Sequence, residues 1–199
     1  MRTDRDLLSA WQGGEHEAGA ALIDRYSAKV YRFFSTRIEG SVDDLCQRTF
    51  TACVEARLEL EHDGATRSFR SFLFGVARRQ LLDAYRTHRR EAELLDPLSQ
   101  SVAEVCPGAS AIHAANEEGA LVAAAMKHLP IDYQIALELH YWEDMTTAEI
   151  AAALEIPRAT AKTRLLRARE RLKGAMSELT QSSDLVERTE GLARLLGRR

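Results

Sequence analysis

The sequence has few residues that favour β-sheets and few that cross-link chains or bind metals. Its 199 residues include only 8 Val and 7 Ile, against 30 Ala and 25 Leu. Because Ala and Leu favour helices whereas Val and Ile favour strands, this composition predicts an all-α protein. The 3 cysteines cannot all pair, and no Cys or His pair has the short spacing of a zinc site. We therefore expect reduced thiols, two of them in the core, and neither a metal nor another cofactor.

Long hydrophobic runs are also missing. The longest unbroken apolar run covers residues 120–126, far fewer than the roughly 20 residues of a membrane-spanning helix. The first residues mix charges of both signs and lack the apolar segment of a secretory signal. We therefore expect a cytoplasmic protein that does not insert into membranes.

Residue patterns typical of enzymes are missing too. The 6 His are scattered, no Gly-rich phosphate loop is present, and no Ser or Cys motif resembles a nucleophile elbow. The sequence therefore predicts a protein that is not an enzyme.

The positive charge is concentrated in two stretches. The net charge is −3, yet residues 67–90 and residues 158–173 each contain seven basic residues and one acidic residue. Local patches rather than the total charge set the field that a partner meets. Two such patches favour a nucleic-acid partner, although a solvated helix face would explain either stretch alone.

The hydrophobic period predicts two helical units. Four helices are expected over residues 4–12, 15–38, 41 to about 58, and 68 to about 93. Pro, Ser and Gly then accumulate, which is typical of a linker. Four more helices are expected over residues 116–128, 131–142, 147 to about 154, and 157 to about 178. Ser41 with Asp44, and Thr146 with Glu149, have the spacing of capping boxes.

The last two of these helices have the spacing of a helix-turn-helix. On the second of them, four small or apolar residues form one stripe: Ala161, Leu165, Ala168 and Leu172. The opposite surface carries Thr160, Thr163, Arg167 and Arg171. Hydroxyl and guanidinium groups suit base edges and phosphates in a major groove. An ordinary amphipathic helix with a basic side is the alternative.

The helix that starts near residue 68 carries an arginine stripe. Arg78, Arg86 and Arg89 align on one side with Arg79 beside them, opposite Phe69, Phe72, Leu73, Val76, Ala77 and Ala84. Such a stripe can follow a phosphate backbone, and nearby aromatics can stack on exposed bases. Most of the aromatics Phe69, Phe72 and Phe74 are nonetheless expected in the core, and a solvated face would explain the arginines.

Three segments together resemble the extracytoplasmic-function (ECF) sigma factors, the small two-domain subunits that direct bacterial RNA polymerase to promoters. Residues 41–50 (SVDDLCQRTF) are similar to the family's "xxDDLxQxTF" helix, which binds the clamp helices of the polymerase. Residues 68–83 (SFRSFLFGVARRQLLD) resemble the helix that opens and reads the minus-ten element. Residues 129–130, 149–151 and 167–172 resemble the domain that reads the minus-thirty-five element. The resemblance covers nearly all of residues 5–178.

The resemblance implies a division of the chain into sigma region 2 at residues 1–94, a linker at 95–116, sigma region 4 at 117–178, and an extension at 179–199 that forms either an amphipathic helix or a frayed tail. It implies a polymerase-binding set of Asp43, Asp44, Gln47 and Phe50. It implies a DNA-binding set of Arg78, Arg79, Arg86, Arg89, Arg158, Thr160, Lys162, Thr163, Arg164, Arg167 and Arg171.

The implied partners are core RNA polymerase and promoter DNA. The DNA is read as a duplex at the minus-thirty-five element and as a single strand at the minus-ten element, and the implied location is the bacterial nucleoid. Whether an anti-sigma factor is a further partner is left open. The resemblance also assigns the acidic loop at residues 59–66 to the capture of a flipped base of the non-template strand, against the alternative of a plain surface loop.

Several residues depart from the family's pattern. Glu155 stands where a turn Gly is usual, and a left-handed residue there costs on the order of 1 kcal/mol, so a reshaped turn is one expectation. Pro157, Gly75 and Arg79 also differ from the commoner residues. A stand-alone helix-turn-helix regulator is the alternative function. The set around Asp43 argues against it, because exposed polar groups beside an aromatic suit a protein partner.

Overall fold

The structure is a computed structural model that describes residues 2–38, 40–60, 68–95 and 117–179, with side chains described at 2–38, 40–60, 68–88 and 119–179. The predicted linker, most of the acidic loop, Cys106 and nearly all of the C-terminal extension lie outside the described residues. The described parts of the chain form helices and no strands, which confirms the all-α prediction.

Eight helices follow one another in the described residues. They are α1 (Asp4–Gln12), α2 (His16–Ser35), α3 (Val42–Glu55), α4 (Phe69–Leu95), α5 (Glu117–Met126), α6 (Ile131–Tyr141), α7 (Thr147–Leu154) and α8 (Arg158–Leu179). They fall into two compact units: the first contains α1, α3, α4 and most of α2, and the second contains α5, α6, α8 and most of α7.

Aromatic side chains form much of the core of the first unit. Phe69, at the start of α4, lies with its ring centroid 6.4 Å from that of Trp11 and 5.7 Å from that of Tyr26. Further along α4, the ring centroid of Phe74 lies 5.8 Å from that of Phe33 in α2. α3 and α1 both pack against α4. The buried face of α4 thus joins the other helices of this unit.

The second unit is built around α8, against which α5 and α6 pack. Its core cluster holds Val122, Ala125, Met126, Leu129, Leu137, Ala168, Leu172 and Met176. Ala161 and Leu165 are also buried. The stripe of small and apolar residues that the sequence places on this helix therefore faces the core, as predicted.

The two predicted capping boxes have different outcomes. At α7 the box forms: the Thr146 hydroxyl accepts from the Glu149 amide at 3.2 Å, and Glu149 Oε2 accepts from the Thr146 amide at 3.0 Å. At α3 the prediction is wrong. Ser41 has a left-handed backbone with φ 41 and makes no side-chain capping bond, because an N-cap hydroxyl reaches the first turn from an extended backbone. Asp44 instead pairs with Arg48 at 2.7 Å.

Candidate functional site

α7 and α8 are joined by a turn whose backbone satisfies the end of α7. The Ile156 amide donates to the Ala151 carbonyl at 3.0 Å, and the Glu155 amide donates to the Ala152 carbonyl at 3.2 Å. These are the two bonds of a Schellman motif, which needs a left-handed residue at its centre. Glu155 supplies that residue, with φ 54. The turn therefore keeps the geometry that a Gly would favour and is not reshaped.

The outward face of α8 carries most of the predicted DNA-binding residues of this helix. The exposed ones are Arg158, Thr160, Lys162, Thr163, Arg167 and Arg171. The Thr163 hydroxyl donates to the Ala159 carbonyl at 3.0 Å, which leaves its oxygen lone pairs available to accept. The helix thus presents hydroxyl and guanidinium groups on the side opposite its core stripe.

Contacts with α6 distinguish some of the α8 arginines from the others. Arg164 is half-buried, and its Nη1 lies 3.3 Å from Asp132 Oδ2. The Arg171 guanidinium lies 5.5 Å from the centroid of the Tyr133 ring, and that of Arg169 lies 5.3 Å from the Tyr141 ring. Cation–π contacts of this kind stabilise at exposed sites by about 0.5 to 1 kcal/mol. These three side chains therefore help to hold α8 against α6.

The arginine stripe on α4 is only partly exposed. Arg79 and Arg86 are exposed, whereas Arg78 is half-buried. Arg86 Nη1 lies 2.7 Å from Asp83 Oδ1 one turn earlier. The side chain of Arg89 lies outside the described residues.

The aromatics of α4 are mainly core, as expected. Phe69 and Phe74 are buried and Phe72 is half-buried. Phe69 and Phe74 are therefore occupied by packing rather than available to bases.

α3 presents a polar face that changes to an apolar one along its length. Asp43, Asp44 and Gln47 are exposed and Phe50 is half-buried. Val54, four residues beyond Phe50 and so on the same face, is 37% exposed. Val54 is not among the residues predicted from the sequence, although its i+4 spacing from Phe50 places it on the same face.

Two thiols lie on α3, and both are free. Burial raises the pKa of the Cys53 thiol to about 12. Partial burial, with a smaller contribution from Asp43, raises the pKa of the Cys46 thiol to about 11. Both groups are therefore protonated at neutral pH.

Within the described ranges, no cluster of His, Cys, Asp and Glu could hold a metal ion, and no helix is long and apolar enough to cross a membrane.

Both halves of the chain match family models. Residues 22–91 match Sigma-70 region 2, and residues 120–172 match Sigma-70 region 4. These matches cover all of α3, α6 and α7 and most of α2, α4, α5 and α8. A protein that carries both regions is a sigma factor of the Sigma-70 type.

Curated relatives of the chain belong to one group of sigma factors, the ECF group. The chain is 31% identical over 154 residues to the ECF RNA polymerase sigma factor SigM of Bacillus subtilis, covering 76% of this chain and 91% of SigM. It is 26% identical over 178 residues to SigW of the same organism, covering 83% of this chain and 92% of SigW. It is 24% identical over 186 residues to the ECF sigma-E factor of Escherichia coli K12, covering 89% of this chain and 96% of that sigma factor.

A solved structure supports the same conclusion. CnrH, in complex with the cytosolic domain of CnrY, is similar with a TM-score of 0.63 and 27% identity, over 89% of this chain and 99% of CnrH. The chain belongs to the ECF family of RNA polymerase sigma factors. It directs promoter recognition and transcription initiation as a regulatory subunit. The alternative of a stand-alone regulator is not favoured, because region 2 is matched as well as region 4.

Proposed function

We propose that this sigma factor divides promoter recognition between its two units. The first unit binds core polymerase through α3 and opens the minus-ten element through α4. The second unit reads duplex minus-thirty-five DNA through α8. The observation that carries this proposal is the outward face of α8, where hydroxyl and guanidinium groups project from a helix-turn-helix fixed by its capping box and Schellman turn.

The α3 face supports the polymerase contact. Asp43 and Gln47 are exposed one turn apart, and the half-buried Phe50 follows on the same side. Buried aromatic anchors surrounded by polar groups are typical of protein interfaces. Asp44 lies beside this face but already pairs with Arg48 at the surface, so we assign it a smaller share of the binding energy than Asp43.

The α8 face supports duplex reading. Thr163 and Arg167 lie one turn apart on the exposed side, and an Arg that forms two hydrogen bonds to a guanine distinguishes bases by about 1 to 3 kcal/mol. Arg158, Thr160 and Lys162 are exposed around the first turns and suit phosphate contacts. Arg164 and Arg171 are held partly by α6, so we assign them mainly to orienting the helix.

The α4 stripe supports strand opening. Arg79 and Arg86 are exposed along one long helix, with Arg78 beside them, and a row of cations can follow one strand's phosphates as the duplex separates. We propose that residues 59–66 capture a flipped base of the non-template strand next to this helix. Arg89 is proposed to extend the stripe.

The sigma factor works in the bacterial cytoplasm at the nucleoid and catalyses no reaction itself. Free protein binds duplex promoter DNA poorly, because each basic patch alone makes few phosphate contacts on an acidic chain, and polymerase is needed to hold both units at promoter spacing. Because CnrH forms a complex with the cytosolic domain of CnrY, we propose that an anti-sigma partner also binds this chain.

A pre-melted template tests the division of labour. We compare initiation from a closed duplex promoter and from the same promoter with an open bubble at the minus-ten element, using Arg78→Ala, Arg86→Ala and Arg167→Ala. The open bubble should restore initiation by the two α4 variants, because the minus-ten bases are already unstacked. It should restore initiation by Arg167→Ala only slightly. Equal rescue of all three, or of none, would contradict the assignment.

Polymerase affinity tests the α3 face separately. Asp43→Ala combined with Gln47→Ala should weaken binding to core polymerase by more than about 1 kcal/mol while helical content is unchanged. Glu55→Ala is the matched control, since it removes an exposed carboxylate from another side of α3. Equal affinity of the double variant and the control would rule out this face.

A further inference from the structure

A large apolar side chain lies on the outward face of α8. Leu166 is 55% exposed. At 100° per residue it lies about 140° around the helix from Ala161 and about 160° from Ala168, and both of these residues are buried in the core stripe. Packing within this unit therefore gives no reason for a leucine at position 166.

Basic side chains surround Leu166. Lys162 lies one turn before it, and Arg169 and Lys173 lie one and two turns after it. All three are exposed. Such a cluster attracts the phosphates of DNA, so Leu166 becomes covered when this face binds a duplex. A purely apolar partner surface would suit the leucine less well, because it would have to bury the cations too.

The position of Leu166 along α8 places it at the base edges rather than beyond them. Arg158 and Arg167 lie nine residues apart, which is about 13 Å along the helix axis, and the major groove is about 12 Å wide. Glu170 follows one turn after Leu166, and its carboxylate repels phosphates. The stretch of this face that contacts DNA therefore ends before Glu170 and includes Leu166.

The major groove offers one apolar group to such a side chain. All four bases present hydrogen-bond donors or acceptors there, and thymine alone adds a methyl group, at C5. Thr163, about one turn before Leu166, already donates its hydroxyl hydrogen to the Ala159 carbonyl at 3.0 Å. This part of the face therefore offers apolar surface and an acceptor, and it has no hydroxyl hydrogen left to donate.

We propose that Leu166 is a specificity-determining residue that contacts the C5 methyl of a thymine in the minus-thirty-five element. The inference rests on the proposed reading of that duplex by α8. Leu166 favours thymine by burying its methyl group. It also disfavours the other bases, because an apolar side chain that covers a polar base edge removes water and supplies no hydrogen bond.

Deoxyuridine provides the test, since it differs from thymidine only in lacking the C5 methyl. Holoenzyme assembled from core polymerase and this chain is bound to a duplex minus-thirty-five element selected with the native protein. Each thymine of either strand is replaced in turn by deoxyuridine, and affinity is measured by fluorescence anisotropy. Leu166→Ala is compared with Leu179→Ala, the matched control, which truncates a leucine that is 43% exposed at the end of the same helix.

In the native protein, replacement of one particular thymine should lower affinity about fourfold, the effect of no longer burying one methyl group. In Leu166→Ala the same replacement should change affinity less than twofold, because the side chain that covers the methyl is gone. Leu166→Ala should bind the thymine duplex at least fourfold more weakly than the native protein and should bind core polymerase equally well. Leu179→Ala should respond to deoxyuridine as the native protein does.

Equal responses of the native protein and Leu166→Ala to every replacement would overturn the inference. A loss of affinity in Leu166→Ala that is the same with thymine and deoxyuridine, together with weaker binding to core polymerase, would also overturn it and assign Leu166 to a polymerase contact.

Arg167→Ala on the unmodified duplex distinguishes these results from a failure of the proposed function. If Arg167→Ala weakens binding while deoxyuridine has no effect on the native protein, α8 reads the duplex and only the role of Leu166 is wrong. If neither change affects affinity, the reading of this duplex by α8 is wrong and the inference fails with it.

Discussion

Arg164 and Arg167 lie three positions apart on α8 and should respond oppositely to truncation. At 100° per residue they are about 60° apart around the helix. Arg164 is half-buried beside Asp132. Arg167 is exposed, and within the described part of the chain it forms no ion pair. Arg167→Ala should therefore weaken DNA binding at constant stability, whereas Arg164→Ala should mainly lower stability.

The expected magnitudes follow from these surroundings. Losing a two-point contact to a base costs about 1 to 3 kcal/mol, which is about 5- to 150-fold in affinity. An exposed substitution without structural contacts changes the free energy of unfolding by less than about 0.5 kcal/mol. The Arg164 side chain is 18% exposed, and its ion pair at 3.3 Å is long, so its removal should cost about 1 kcal/mol of stability.

Two measurements separate the effects. Affinity of the holoenzyme for a duplex minus-thirty-five element is measured by fluorescence anisotropy, and the free energy of unfolding is measured by urea denaturation of the chain. If Arg164→Ala loses as much duplex affinity as Arg167→Ala at unchanged stability, the inference that α6 holds Arg164 away from DNA is refuted.

Three further outcomes are expected. Glu155→Gly should be more stable than the matched Glu155→Ala by about 1 kcal/mol in urea denaturation, because only Gly relieves the left-handed turn; equal stabilities would contradict strain at this residue. Gly19→Ala should lower the melting temperature by several degrees, since the new Cβ meets the indole of α1, and an unchanged melting temperature would contradict the close approach. In a Cys106→Ser background at pH 8, the raised pKa of Cys46 lowers its thiolate fraction about 100-fold relative to an ordinary thiol. Its labelling should accelerate as pH approaches 11, whereas Cys53 should label only on unfolding; fast labelling of either thiol at pH 8 would refute this.

Local patterns predicted much of the fold. The Thr146 and Glu149 box forms because both partners lie within one turn, and the stripe on α8 is buried because helical spacing alone places its members together. The same box pattern at Thr3 and Asp6 is present in the structure, and the sequence contained the signal. The capping box predicted at Ser41 does not form because the Ser41 backbone is left-handed, directly after Gly40 with φ 75. The spacing of side chains in a sequence does not reveal the backbone conformation.

Contacts between distant residues could not be predicted. Gln12 bonds to carbonyls that lie 45 and 48 positions away, and a polar residue on a short helix has no periodic signature. A helical wheel places Arg164 and Arg167 about 60° apart, but it does not show that Asp132 on α6 lies beside Arg164. The resemblance identified the family, but the assignment of each arginine depends on its neighbours in space.

Transcription with purified components tests the central claim most directly. Core RNA polymerase alone, and core polymerase with this chain, are supplied with a genome-derived library of promoter fragments, and the run-off transcripts are sequenced. We predict defined start sites that appear only when the chain is added, and that disappear with Asp43→Ala combined with Gln47→Ala. Identical transcripts with and without the chain would contradict its function as a sigma factor.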